Sequence, residues 1–211
     1  MGVHESQSLL WERCVGQSLE FWQYATPVAQ KYFPHLKNVT PEQFYYRLNQ
    51  VQRSLIRVDA DEVTYPFHVI IRFEIEKGLM DGTIAVKDLP RIWNAKMKEY
   101  LSIDVPSDSK GVLQDVHWSG AAIGYFPSYT LGAMMAVQIF QAAARDIPSL
   151  KDDIRQGKFS SLKNWLNTKV HQVGSLYPSP DELLTKVTGE PLNPKYFIEY
   201  LSAKYKDIYK F

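Results

Sequence analysis

At Thr40-Pro41, Ser179-Pro180 and Asn193-Pro194 a capping residue stands directly before a proline in the pattern of a helix start. The side-chain oxygen of such a residue satisfies a backbone N–H left over at a helix start. The proline loses nothing there, because its missing N–H has no helical partner at that position. Gln43, three residues after Thr40, adds the pattern of a capping box. Each pair commits the residues after it to a helix, and most of the remaining sequence reads the same way. From His4 to Tyr32 runs a long amphipathic stretch, with Leu10, Trp11, Cys14, Leu19, Phe21 and Trp22 among its apolar positions. Pro27 is expected to kink or break it. Thr64 to Met80 has helical faces and ends near Gly82 as a C-cap. Asp88 is placed to cap a helix carrying Ile92, Trp93, Met97 and Leu101, and Phe126 to Arg145 reads as a strongly apolar helix. Two stretches differ. Ser54 to Glu62 reads as extended or turn-like, and Pro106 to Gly124 as a loop with defined contacts. The fold class expected is all-α.

A chain of 211 residues with 45% hydrophobic and 13% aromatic residues has enough to bury and does not read as disordered. The 24 basic residues are offset by 23 acidic ones, which leaves no excess to neutralise phosphates and argues against nucleic acid as a partner. No run of about 18 apolar residues is present, so no membrane span is expected. Cys14 is the single cysteine and cannot close an intrachain disulfide. Together with an N-terminus, MGVHES, that lacks an apolar signal region, this leads to the expectation of a cytoplasmic protein. Matches to short lipidation (Met1-Gly2 with Ser6) and glycosylation (Asn38-Val39-Thr40) patterns are of a length that arises by chance.

Four clusters hold chemistry-bearing side chains. His4-Glu5-Ser6-Gln7-Ser8 contains two good zinc-ligand types. Neighbours on a helix point about 100° apart, however, and Ser8 stands where His-Glu-x-x-His would need a second histidine. Taken alone, this cluster reads as a polar helix start with no metal. In Ile56-Arg57-Val58-Asp59-Ala60-Asp61, Arg57 either forms a local salt bridge or anchors a substrate carboxylate, whose two oxygens match the guanidinium fork. In Gly111-Val112-Leu113-Gln114-Asp115-Val116-His117-Trp118, Asp115 and His117 can orient each other, as a structural hydrogen bond or as a tuned imidazole. In Gly124-Tyr125-Phe126-Pro127-Ser128-Tyr129, the tyrosines are four apart and share a face if helical. They either pack or donate to an oxyanion. His68, Arg72 and Glu76 share a helical face that reads as a solvated stripe or a packing contact, and His35 and His171 read as surface residues.

In this order, the four strings resemble the carboxypeptidase Taq family of metallocarboxypeptidases. Asp61-Glu62-Val63-Thr64-Tyr65-Pro66 and Trp93-Asn94-Ala95-Lys96-Met97 extend the resemblance over nearly the whole chain. The resemblance implies a gluzincin-type, mostly helical fold of two lobes with a deep groove, of which residues 1–211 would be the C-terminal part. It implies a zinc ion, or another divalent metal, bound by two histidines of a His-Glu-x-x-His helix upstream of this sequence, with Glu5 as third ligand and His4, Ser6 and Gln7 in support. It implies that Arg57 and Asp115 bind substrate, with Arg57 on the terminal carboxylate. His117, Tyr125 and Tyr129 would act on the substrate or the tetrahedral intermediate. The partner implied is a peptide with a free C-terminus, and the family-length protein is expected to form a homodimer. Leu9 departs from the pattern where a basic residue is expected. With one assignable ligand, little or no activity is expected of the chain alone. The alternatives are a non-catalytic helical remnant that binds peptides or a partner, or one half of a split enzyme.

Overall fold

The computed structural model describes all 211 residues. It contains ten α-helices: α1 (Gly2–Leu9), α2 (Leu19–Tyr32), α3 (Pro41–Leu48), α4 (Tyr65–Met80), α5 (Leu89–Leu101), α6 (Pro127–Asp146), α7 (Leu150–Arg155), α8 (Ser160–Leu166), α9 (Pro180–Thr188) and α10 (Pro194–Tyr209). No strand forms, as the cap and periodicity pattern predicts. The chain divides into two compact units. One comprises Gln50–Thr130 with Met1, and the other comprises Gly2–Asn49 and Leu131–Phe211.

The caps behave as the sequence dictates. The Thr40 side chain accepts from the Gln43 N–H while Gln43 returns a bond to the Thr40 backbone, completing the box. Ser179 accepts from the Glu182 N–H, and Asn193 accepts from the Lys195 N–H. Asp88 starts α5 without a side-chain capping bond and lies 3.6 Å from Arg91 instead. The long first helix is divided, but not at proline. Leu10–Gly16 forms a π-helical segment after α1, and the division falls at Ser18, whose hydroxyl accepts from the Phe21 N–H at 3.1 Å to begin α2. Pro27 sits inside α2, which continues to Tyr32. Ser18 offers a capping oxygen and adopts an extended backbone, so the chain restarts there. A proline beyond the first turns costs one hydrogen bond without compelling a stop.

In the unit built from Gly2–Asn49 and Leu131–Phe211, a core of Leu9, Leu10, Cys14 and Val15 meets the inner face of α6 and side chains from α7 to α10, including Ile154, Leu162, Leu184 and Phe197. Gly132 lets α1 and α6 approach closely. A Cβ there would lie 2.6 Å from the Glu5 Cβ and 3.1 Å from the Gly2 carbonyl oxygen. In the Gln50–Thr130 unit, Ile71 and Ile75 of α4 pack on Trp93, Met97 and Leu101 of α5, with Val112 from the following loop. Burying such side chains is worth about 1.5–3 kcal/mol each. This small core holds α4 rigidly beneath the loop that carries the polar cluster described next. No helix is long and apolar enough to cross a membrane.

Candidate functional site

Five of the residues singled out from sequence are assembled in the Gln50–Thr130 unit. Arg57 lies in a short 3-10 turn, Arg57–Asp59, within a segment that is otherwise extended or turn-like, as expected. Only 5% of Arg57 is exposed. It pairs not with neighbouring Asp59 or Asp61 but with Asp115. Its Nη2 donates to Asp115 Oδ1 at 2.8 Å, its Nε donates to the same carboxylate at 3.2 Å, and its Nη1 donates to the Tyr65 hydroxyl at 2.5 Å. Asp61 is occupied elsewhere, accepting from the backbone N–H groups of Gln52, Val63 and Thr64.

Asp115 is shared. Arg72, fully buried on α4, donates through Nε to Asp115 Oδ2 at 2.7 Å, through Nη2 to Gln114 Oε1 at 2.9 Å and through Nη1 to the His68 carbonyl at 2.7 Å. Two guanidinium groups therefore bond to a single carboxylate. Aromatic faces surround them. The Arg57 guanidinium lies 4.8 Å from the Tyr129 ring centroid and 5.6 Å from that of Phe126, while Arg72 lies 4.6 Å from Trp93 and 5.2 Å from Phe126. Such stacking suits arginine, whose charge is spread over a weakly hydrated plane.

Titration behaviour follows from this arrangement. Burial alone would raise the Asp115 carboxyl, but Arg57 and Arg72 outweigh it and hold the group below the usual aspartate value. Burial works against the charge on Arg57, yet Asp115 and Tyr65 raise it above its ordinary value. In Arg72 burial prevails and lowers the pKa to about 10, which leaves it charged at neutral pH. His68, beside them on α4, is lowered to about 4 by burial and then by Arg72 and Arg57, so its imidazole is neutral. Neither His68 ring nitrogen has a hydrogen-bond partner.

Asp115 and His117 do not hydrogen-bond to each other, because both Asp115 oxygens are taken by arginines. His117 Nε2 lies 2.9 Å from the Tyr129 hydroxyl, and its buried Nδ1 has no partner. Burial, followed by the Arg57 charge, lowers the His117 pKa. The Tyr125 and Tyr129 rings meet edge to face at 5.3 Å. A shared helical face is not the reason, since Tyr125 precedes α6. The turn after Gly124 brings them together, through a Ser128 N–H to Tyr125 carbonyl bond of 2.9 Å and a Tyr129 N–H to Phe126 carbonyl bond of 3.1 Å. The stripe of His68, Arg72 and Glu76 is buried, not solvated. Arg72 is the residue that sequence reasoning passed over. The signal was there, in an i, i+4, i+8 row of polar side chains on a helix otherwise rich in Ile and Phe.

Glu5 belongs to the other unit and is partly buried on α1, against Gly132. Beside it the Ser6 hydroxyl donates to the Val3 carbonyl at 2.6 Å, and Gln7 donates to Ser6 at 3.0 Å. His4 is exposed. No group of three or more His, Cys, Asp or Glu that could hold a metal ion is formed. The residues present thus do not fit a protein-held catalytic metal by themselves, since three ligands are the rule for such a site.

The family described as "Carboxypeptidase Taq (M32) metallopeptidase" matches residues 1–205. The chain is 41% identical over 205 residues to thermostable carboxypeptidase 1 of Pyrococcus furiosus, covering 97% of this chain and 41% of that protein. It is 43% identical over 216 residues to carboxypeptidase 1 of Bacillus subtilis, covering 99% and 42%. Among solved structures it is similar to an M32 carboxypeptidase from Deinococcus radiodurans, with a TM-score of 0.95 at 42% identity over 100% of this chain and 42% of that one. It is also similar to metallocarboxypeptidase 1 of Trypanosoma cruzi, with a TM-score of 0.92 at 42% identity over 97% and 43%. The chain spans about 41% of the length of the first of these curated relatives.

Proposed function

Because the chain belongs to the carboxypeptidase Taq (M32) metallopeptidase family, we propose that it is the C-terminal part of a metal-dependent carboxypeptidase and holds the carboxyl end of the peptide. The observation that carries this reading is the arginine pair. Arg57 and Arg72 share the Asp115 carboxylate, so the bonded cluster keeps one formal positive charge while Arg57 is almost fully buried. A buried charge is costly unless paired, and an incoming carboxylate supplies the pair. Of the five N–H groups of a guanidinium, Arg57 commits three to Asp115 and Tyr65, leaving one on each terminal nitrogen to donate. Requiring a free terminal carboxylate confines cleavage to the last residue.

The remaining assignments rest on residue chemistry. With the Tyr129 hydroxyl as donor to His117 Nε2, the imidazole proton sits on Nδ1, which is buried and unpartnered, and a side-chain rotation would bring it to the scissile carbonyl oxygen or the oxyanion that forms from it. Tyr125 is the candidate phenolic donor to the same oxygen, and Tyr129, whose proton goes to His117 Nε2 in this reading, acts by fixing that imidazole. Asp115, which the resemblance assigns to substrate, serves in this reading by orienting Arg57. Glu5 would give one ligand to zinc or another divalent ion whose other ligands lie outside these 211 residues, so the chain alone releases little or no amino acid. A cytoplasmic location and homodimerisation of the family-length protein belong to the same reading. Two alternatives stay open to test, a peptide-binding remnant and one half of a split enzyme. Stoichiometric zinc in the pure chain would argue against the remnant.

Calorimetric titration tests the anchor. An N-acylated dipeptide with a free carboxylate should bind the chain more tightly than its C-terminal amide, and Arg57→Gln should remove that preference. A charge-assisted hydrogen bond is worth about 1.5–3 kcal/mol, so the expected loss is about ten- to hundredfold. Equal affinity for acid and amide in the unaltered chain would overturn the reading.

A further inference from the structure

Arg72 meets Arg57 by two separate routes. Its Nε donates to Asp115 Oδ2 at 2.7 Å, and the other oxygen of that carboxylate accepts from Arg57 Nη2 at 2.8 Å. Its Nη2 donates to Gln114 Oε1 at 2.9 Å, and the same oxygen accepts the backbone N–H of Arg57 at 2.9 Å. One route fixes the Arg57 side chain and the other its main chain. Gln114 in turn donates to the Leu55 carbonyl at 3.0 Å and the Lys110 carbonyl at 3.2 Å, which ties together the two loop segments involved. Arg72 itself is immobilised by α4, by the His68 carbonyl and by the Trp93 ring. Its exposure is 0%.

We infer that Arg72 is a positioning residue, which fixes the backbone and guanidinium of Arg57 through Gln114 and Asp115 and thereby sets selectivity for a free terminal carboxylate. The selectivity part rests on the function proposed above; the positioning part does not. The physical requirement is a planar fork that reaches two acceptors at once. Arginine provides it, and a lysine ammonium, a compact charge on a flexible stem, does not. A residue needed only to neutralise Asp115 would be replaceable by lysine. Neutralisation and positioning are thereby separable.

Side-chain NMR of the 211-residue chain reads the first part without any ligand. In Arg72→Lys the helical circular dichroism should be retained, while hydrogen exchange at the Arg57 Nε–H should accelerate at least tenfold. Unchanged exchange would overturn the inference whether or not peptides bind. Should Arg72→Lys fail to fold, Gln114→Leu removes the route to the Arg57 main chain, together with the Gln114 bonds to the Leu55 and Lys110 carbonyls, and leaves the Asp115 route in place. It should then accelerate exchange at the Arg57 backbone N–H at least tenfold, and unchanged exchange there would again overturn the inference. The second part is read by titration with the acid and amide forms of an N-acylated dipeptide. Arg72→Lys should erase most of the acid preference, by about tenfold or more. If the unaltered chain prefers the acid and Arg72→Lys prefers it equally, the selectivity role of Arg72 fails while the Arg57 anchor stands. If the unaltered chain has no preference, the anchor and the selectivity role fail together, and the exchange data alone decide the positioning role.

Discussion

His68 is buried with both ring nitrogens unbonded, beside two arginines that disfavour its protonation. Its pKa of about 4 in the folded chain lies below the ordinary 6.5. The unfolded chain therefore takes up a proton as pH falls through about 6.5, whereas the folded chain resists until about 4. The stability is fully present above 6.5 and is lost as pH falls towards 4, by about 3 kcal/mol at most. Thermal unfolding followed between these values should show the decline, and His68→Phe should flatten it. At pH 8 that variant should stay within about 1 kcal/mol of the unaltered chain, since an apolar ring replaces an unsatisfied polar one. An identical pH profile in both proteins would mean that other groups carry the dependence. At this scale the candidate site was partly legible. Asp115 and His117 stood out as titratable residues in a loop flanked by Gly and Trp, and Arg57 as an arginine beside two aspartates in a turn-like stretch. Their partners did not, because Arg57 reaches across 58 positions to Asp115 and past the two aspartates beside it. Spacing along a chain cannot choose between a near carboxylate and a distant one.

Among the elements, α4 shows where periodicity stops informing. It buries His68, Arg72 and Glu76 along with Val69, Ile71 and Ile75, and it leaves Phe67, Ile70 and Phe73 exposed. A polar row on a helix ordinarily faces water. Here it faces inward because Asp115, Gln114 and Trp118 supply partners, Trp118 through a 2.8 Å bond to Glu76. The caps were legible because they are local, with Thr40, Ser179 and Asn193 needing only the next few residues. The division at Ser18 is also local, but a stronger breaker nearby, Pro27, drew the expectation away from it. The crossing of α1 and α6 yields the sharpest prediction for an element. Gly132→Ala would place a methyl group 2.6 Å from the Glu5 Cβ, and overpacking of this kind costs about 1–3 kcal/mol. Differential scanning calorimetry should show a melting temperature lower by several degrees, roughly 2–4 °C per kcal/mol for a chain of this size. An unchanged melting temperature would show that α1 shifts freely and is not a rigid support for Glu5.

For the whole molecule, the all-helical class was legible from caps and apolar periodicity, and family membership from four ordered strings. The division into two units was not. Its boundary falls at Thr130, inside α6, where the helical pattern of the sequence continues without a change in composition. The chain forms no three-ligand metal group, and it sets two arginines on the single Asp115 carboxylate. Under the function proposed above, these 211 residues bind the peptide but do not cleave it. Amino-acid analysis tests that claim most directly, after the chain has been incubated with stoichiometric zinc and a peptide bearing a free carboxylate. The peptide should be recovered bound and intact, with no C-terminal residue released above background. Steady release of that residue, abolished by Glu5→Ala, would contradict it and show that the chain builds a complete active site.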